Sequence, residues 1–181
     1  MKELLNNKNS EIFKTAEVQQ SEDISELVNS VYRGETSQRG WTSEASFLDG
    51  QRTDAGAISE IIQKKDNVLL TLWRDSLLLA SVHLEKQNEV CHLGMLSVHF
   101  SLQDQGFGKK MLSHSEKWAR ETWQCRAIEM EVISIRTELV EYYLRRGFCA
   151  TGAKVPFPYN DQRFGLPKIK DLEFIVLRKE I

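Results

Sequence analysis

The chain has 181 residues, 41% of them hydrophobic and 28% charged, with a formal net charge of −2 and an isoelectric point near 6.1. Those values fit one globular domain and exclude an overall basic field able to hold a polyanion, so nucleic acid is not expected as a partner. Cys91, Cys125 and Cys149 stand far apart without a C-x-x-C spacing, which speaks against a disulfide framework and for reduced thiols.

The start, MKELLNNKNSEIFK, has no apolar targeting segment, and no later stretch approaches the roughly 18 apolar residues that span a bilayer. A cytoplasmic protein without a membrane partner, monomeric or homodimeric, is the expectation. Residues 1–10 read as a loose polar tail and 11–181 as a single domain. The segment Ile12–Val18 reads as a first strand. Ser21 is placed to cap a helix carrying Ile24, Leu27, Val28 and Val31 on one stripe, with Gly34 at its end. Arg33–Gly56 predicts a loop with a short helical turn, after which Thr53 or Asp54 opens a helix bearing Ile58, Ile61 and Ile62. The apolar runs at 68–73 and 77–84, separated by Arg74-Asp75-Ser76, predict a hairpin, and Glu89–Val98 adds a third strand.

A helix is predicted over Gly106–Thr122, with Phe107, Met111, Leu112, Trp118 and Ala119 on its apolar stripe. Ile128, Met130 and Val132 alternate with Glu129 and Glu131, the period of a strand. Thr137 caps a further helix that stops at Gly147, after Arg145 and Arg146 have placed positive charge at its C-terminal end. All the prolines, Pro156, Pro158 and Pro167, fall within Lys154–Lys170, which predicts a long ordered or lid-like loop before a last strand at Leu172–Arg178. This order describes an α/β (α+β) domain with a mixed, mostly antiparallel sheet flanked by helices.

The chemistry concentrates in LGMLSVHFSLQDQGFGKKML, residues 93–112, where a strand runs through a glycine loop into a helix. Glycine lets the backbone approach a phosphate, the first helical amides point at it, and the helix dipole favours negative charge. Lys109 and Lys110 in the first turn oppose that dipole unless an anion is bound. A Walker loop is excluded because no G-x-x-x-x-G-K-[ST] is present, and a dinucleotide fingerprint because Met111 replaces its third glycine. Cys91, His92 and His99 lack ligand spacing, so no metal is implied.

The run Gln103-Asp104-Gln105-Gly106-Phe107-Gly108 resembles the Q/R-x-x-G-x-G/A loop of the GNAT acyltransferases, and Leu96-Ser97-Val98 occupies the place of their cofactor strand. In EYYLRRGF, Tyr143 stands four residues before Gly147-Phe148, the usual GNAT position of a tyrosine at the thiol end of CoA. The resemblance implies the GNAT fold from about Glu11 onward, acetyl-CoA as acyl donor, and an amine acceptor that is a small molecule or peptide. It places CoA on Leu96, Ser97, Val98, Gln103, Asp104, Gln105, Gly106, Phe107, Gly108 and Lys109, with Arg136 on the arm or a phosphate. The cofactor strand is expected to part from its parallel neighbour after Val132, leaving a gap for the pantetheine arm. Direct acetyl transfer is implied, with Tyr143 as acid for the leaving thiolate. His92 is the candidate base, for its position eleven residues before Gln103 and because an imidazole suits proton acceptance near neutrality; Glu44, Glu131 and Asp161 are alternatives. Trp41, Glu44, Tyr159 and Asp161 are expected around the acceptor. Asp104 and Gln105 leave the loop poor in positive charge. A non-catalytic acyl-CoA sensor on the same fold is the alternative reading.

Overall fold

The computed structural model describes residues 11–161 and 164–181, so the tail expected at 1–10 and Arg163 of the late loop lie outside the described residues. Chain order runs β1 (Glu11–Thr15), a 3-10 turn (Val18–Gln20), α1 (Ser21–Tyr32), α2 (Gly34–Ser37), β2 (Leu48–Asp49), α3 (Ala55–Gln63), β3 (Asn67–Arg74), β4 (Leu77–Gln87), β5 (Val90–Val98), a 3-10 turn (Phe100–Leu102), α4 (Phe107–Trp123), β6 (Ala127–Ile133), α5 (Thr137–Leu144), β7 (Cys149–Pro156), β8 (Leu166–Pro167) and β9 (Glu173–Glu180). Seven strands form one sheet in the order β1-β3-β4-β5-β6-β9-β7, and β2 pairs with β8 beside it. Among the described residues only β5 and β6 are parallel; every other neighbour is antiparallel.

Local chemistry moves several boundaries. The first strand stops at Thr15 because Glu17 and Gln20 close a capping box around the 3-10 turn. Ser21 does not cap α1; it is the first helical residue, and its hydroxyl donates to Val18 O at 2.7 Å. Arg33 is extended (φ −131°, ψ 158°), so α1 ends before Gly34, which instead begins α2. Asp54 is the cap of α3, accepting from Ala57 N at 2.9 Å. The late segment is shorter as a loop than its prolines predicted. Lys154 and Pro156 belong to β7, paired with Ile175 and Glu173 of β9. Because β7 is an edge strand, a proline there takes no donor from the ladder.

The main core, including Leu72, Val82, Leu84, Met111, Ile128 and Phe148, joins the sheet to α4 and α5. A second cluster on α1 and α3 packs Ile24, Val28, Val31 and Ile58 against Leu69, Trp73 and Leu78. A third, built on Phe47, Leu48, Ile133, Phe157 and Phe174, closes the β2/β8 end. Cys91 and Cys125 are buried thiols, and burial pushes Cys91 up to about 12, which suits packing and not nucleophilic attack.

One core contact has a pH signature. The His83 ring nitrogen Nε2 lies 2.7 Å from Asn67 Oδ1, and burial lowers its pKa to about 4. A histidine depressed below its unfolded value resists protonation only when folded. Its effect is absent above about pH 6.5, and stability is lost as pH falls from there toward 4. We expect the melting temperature of wild type to drop through that window, by the equivalent of roughly 2 kcal/mol from this group. The drop should shrink in His83→Gln, followed by thermal melts at pH 7, 6, 5 and 4.5.

Candidate active site

Strands β5 and β6 share a parallel ladder only at Val90–His92 with Ala127–Glu129. The gap therefore opens after His92 and Glu129, earlier than the expected point after Val132. A bulge is the cause: between the pairs Ser81↔Ser97 and His83↔Gly94, Val82 alone faces Met95 and Leu96. Met95 takes a left-handed φ of 49° to make it. Such a bulge bends and twists its strand, while β6 continues in unbroken register with β9 to Ile133.

Ladder parity then fixes what faces the gap. His99 N donates to Leu79 O at 3.0 Å, so the pair 79/99 is bonded, as is 81/97, and Val98 between them turns its backbone groups away from β4. Val98 O accepts from Gln103 Nε2 at 3.2 Å, and Leu96 O accepts from the Tyr32 hydroxyl at 2.8 Å. In an extended residue the N–H lies on the same side as the carbonyl, so the amides of Leu96 and Val98 also look into the gap.

A cavity of about 330 Å³ runs from this gap to the start of α4, lined among others by Leu96, Val98, Asp104, Gly106, Gly108 and Lys109. Gly106 is the N-cap of α4 with φ 84°, and no side chain caps the helix. Lys110 N is the first amide to bond within it, to Gly106 O at 3.0 Å, so the amides of Phe107, Gly108 and Lys109 have no helical partner. A Cβ on Gly106 would project into open space. Lys110 is occupied elsewhere, on Glu11 at 2.7 Å, whereas Lys109 has no ion-pair partner among the described residues. The loop's shortage of positive charge is met from α5: Arg145 and Arg146 line the same cavity. Arg146 lies over the Tyr142 ring at 3.3 Å, donates to Tyr142 O, and keeps a buried Nε without a protein partner. These donors and cations fit a pyrophosphate, and the gap fits an extended arm with amide groups.

A second, narrower cavity of about 90 Å³ lies on the other side of the gap, lined by Arg52, Glu131, Phe157, Phe164 and Phe174 among others. Tyr32, Leu96, Arg136, Leu139 and Tyr143 line both cavities and form their junction. Tyr143 is 5% exposed, wedged edge-on between Tyr142 and Phe148 with centroids at 5.3 and 5.7 Å. Burial, with Tyr32 adding, raises the pKa of its hydroxyl, which therefore stays protonated.

The structure gathers most, not all, of the expected residues. Leu96, Val98, Gln103, Asp104, Gly106, Gly108, Lys109, Arg136 and Tyr143 meet at the first, larger cavity. Gln103 serves as a brace, its amide reaching Val98 O, Thr42 Oγ1 and Trp41 N. Ser97 is fully buried and bonds Met95 O; Gln105 is turned to Ser101 O; the Phe107 ring lies in the main core. None of these three side chains lines the cavity. His92 lines neither cavity, because it sits where the sheet is still paired on both sides, opposite Glu85 and Glu129.

Of the expected acceptor residues, Trp41 lines the first cavity and not the second, its ring 5.3 Å from that of Tyr142. Glu44 does line the second cavity, but Arg33 Nη1 donates to its Oε2 and Arg136 Nη1 to its Oε1 at 2.8 Å. With both oxygens engaged by guanidinium groups, it holds no free charge for an incoming ammonium. Tyr159 is 42% exposed and staples the late loop, accepting from Leu172 N at 2.7 Å. Tyr159 and Asp161 line neither cavity. Sequence reading missed Tyr32, Arg52 and Tyr142, and took Arg145 and Arg146 only as partners of the helix dipole.

The model of the acetyltransferase (GNAT) family matches residues 28–148. No curated protein matches the sequence. Among solved structures, an N-acetyltransferase from Staphylococcus aureus Mu50 superposes with a TM-score of 0.71 at 14% identity, covering 94% of this chain and 97% of that one. YncA, a putative acetyltransferase from Salmonella typhimurium solved with its cofactor acetyl-CoA, has a TM-score of 0.67 at 15% identity over 95% and 94% of the two chains. The PaiA N-acetyltransferase from Thermoplasma acidophilum, solved with coenzyme A, has a TM-score of 0.67 at 14% identity over 95% and 99%. The family model covers the bulged strand, the glycine loop and the Tyr143 helix together, and this chain belongs to the acetyltransferase (GNAT) family.

Proposed function

We propose that the protein transfers the acetyl group of acetyl-CoA directly to an amine. The observation that carries this reading is the junction: a buried, protonated tyrosine hydroxyl stands where a phosphate-compatible cavity meets a second cavity able to admit an acceptor. In this reading the amides at the start of α4, with Lys109, Arg145 and Arg146, hold the pyrophosphate. The Leu96 amide donates to the thioester carbonyl oxygen, where negative charge develops as the amine attacks. The C–N bond forms, the C–S bond breaks, and Tyr143 gives its proton to the departing thiolate; the proton that the nitrogen sheds as it becomes an amide returns to the tyrosine oxygen, directly or through water, and restores the acid. Glu131, which lines the acceptor cavity and has no ion-pair partner among the described residues, replaces His92 as the group that takes the proton of the acceptor ammonium, directly or through water.

Acetyl-CoA at about one hundred times its Kd should raise the melting temperature by roughly 5–10 °C, since a ligand of the native state stabilises by mass action. Gly106→Val puts a branched side chain into the open space of the loop. It also strains a positive φ, so its unliganded melting point falls. Measured against that new baseline, the acetyl-CoA shift should vanish; a shift of wild-type size would move the cofactor away from this loop.

A further inference from the structure

The acceptor cavity is lined by two side-chain charges of opposite sign, Arg52 and Glu131, that make no ion pair among the described residues. Arg52, between β2 and α3, has no ion pair or side-chain hydrogen bond among the described residues, although it is partly buried. Its charge reaches the buried Tyr32 hydroxyl at the junction. Glu131, an exposed residue of β6, has no ion pair among the described residues either, and the two do not pair with each other although they line the same cavity. The neighbouring carboxylate does not change this balance. Glu44 is bound by two arginines, Arg33 and Arg136, so that buried triad carries one excess positive charge. Leaving an arginine partly desolvated without a counter-ion is unfavourable unless a ligand anion completes it.

Resting on the acetyl-transfer reading above, we propose that the acceptor is a zwitterion: a compact amine with a carboxylate on a neighbouring carbon, in the simplest case an α-amino acid. Arg52 takes the carboxylate in a charge-assisted, two-pronged contact, and Glu131 faces the ammonium before it is deprotonated. The remaining wall is apolar, with Leu48, Phe157, Phe164 and Phe174, which suits an apolar side chain. A polyamine, with its additional cations, meets Arg52 and the arginine excess of the triad as like charges.

Two readouts separate this assignment from the acetyl-transfer reading. The first is calorimetric binding of N-acetyl-leucine and N-acetyl-methionine, and of the matching acetamides without a carboxylate, to the enzyme saturated with CoA. We expect the anions to bind at least 10-fold more tightly than their neutral partners. Arg52→Gln should remove that preference, Arg52→Lys restore part of it, and neither should alter CoA affinity. The second is turnover of leucine, methionine and phenylalanine against their decarboxylated amines. A preference of 10²-fold or more for the amino acids, lost in Arg52→Gln through acceptor KM, supports the proposal. Arg52-dependent anion binding without turnover of any amine keeps the zwitterion site and removes acetyl transfer. Turnover of the uncharged-tail amines with kinetics indifferent to Arg52 overturns the zwitterion site and keeps acetyl transfer. Equal binding of anionic and neutral acetyl compounds also overturns it.

Discussion

Tyr143→Phe should lower kcat by about 10²–10⁴-fold while leaving the acetyl-CoA dissociation constant and the melting temperature nearly unchanged. The change deletes one oxygen and keeps the ring, so the edge-on contacts with Tyr142 and Phe148 survive. No described residue hydrogen-bonds that oxygen, so nothing in the protein is left unsatisfied by its loss. What disappears is the proton available to the thiolate at the junction of the two cavities. Because burial raises the tyrosine pKa, the donor stays protonated across the working range, and the loss of kcat should be the same at pH 7 and pH 9. Tyr142→Phe is the control. That ring lines the cofactor cavity under Arg146, and its hydroxyl touches the Gly108 position, so its removal should act on the KM for acetyl-CoA. Near-normal turnover of Tyr143→Phe would leave the ring as packing only.

The half of the candidate site assigned to the cofactor was legible as a cluster because its elements are local. A glycine of positive φ at the N-cap of α4, the strand before it and the tyrosine four residues before Gly147 are all matters of short spacing. The acceptor half was not, because it depends on which distant segments meet. Glu44 looks like a free carboxylate in a loop until α1 and the start of α5 bring Arg33 and Arg136 to it. His92 and Glu131 both lie on strands with alternating polarity, and only the place where β5 leaves β6 tells which of them reaches a cavity. Trp41 illustrates the same limit: an isolated aromatic in a loop is assigned to one side of the gap by the Gln103 brace. The end of β7 was obscured by the opposite effect, since Pro156 marks a loop in a central strand and is harmless at an edge.

Glu44→Ala should destabilise the protein by about 3–5 kcal/mol, lowering the melting temperature by roughly 10 °C or more. The side chains of Arg33, Glu44 and Arg136 are 4%, 8% and 9% exposed, so removing the carboxylate leaves two buried guanidinium groups without their shared counter-ion. Among the described residues each has one other hydrogen-bond anchor, Arg33 on Phe164 O at 3.1 Å and Arg136 on Thr42 O at 2.6 Å, but a carbonyl oxygen carries no net charge to replace Glu44. The cost therefore comes from the stranded charges and not from a lost contact alone, and that distinction can be measured. Arg33→Met combined with Glu44→Ala removes one of those charges together with the carboxylate. It should melt higher than Glu44→Ala alone, a coupling of the sign expected for a buried ion pair. The triad also ties the loop carrying Thr42 to the residue that opens α5, and Arg136 lines both cavities. Loss of Glu44 should consequently lower kcat and raise the KM for acetyl-CoA even well below the melting point. If Glu44 instead held the acceptor ammonium, the variant would keep its melting temperature and its KM for acetyl-CoA, and only the acceptor KM would rise.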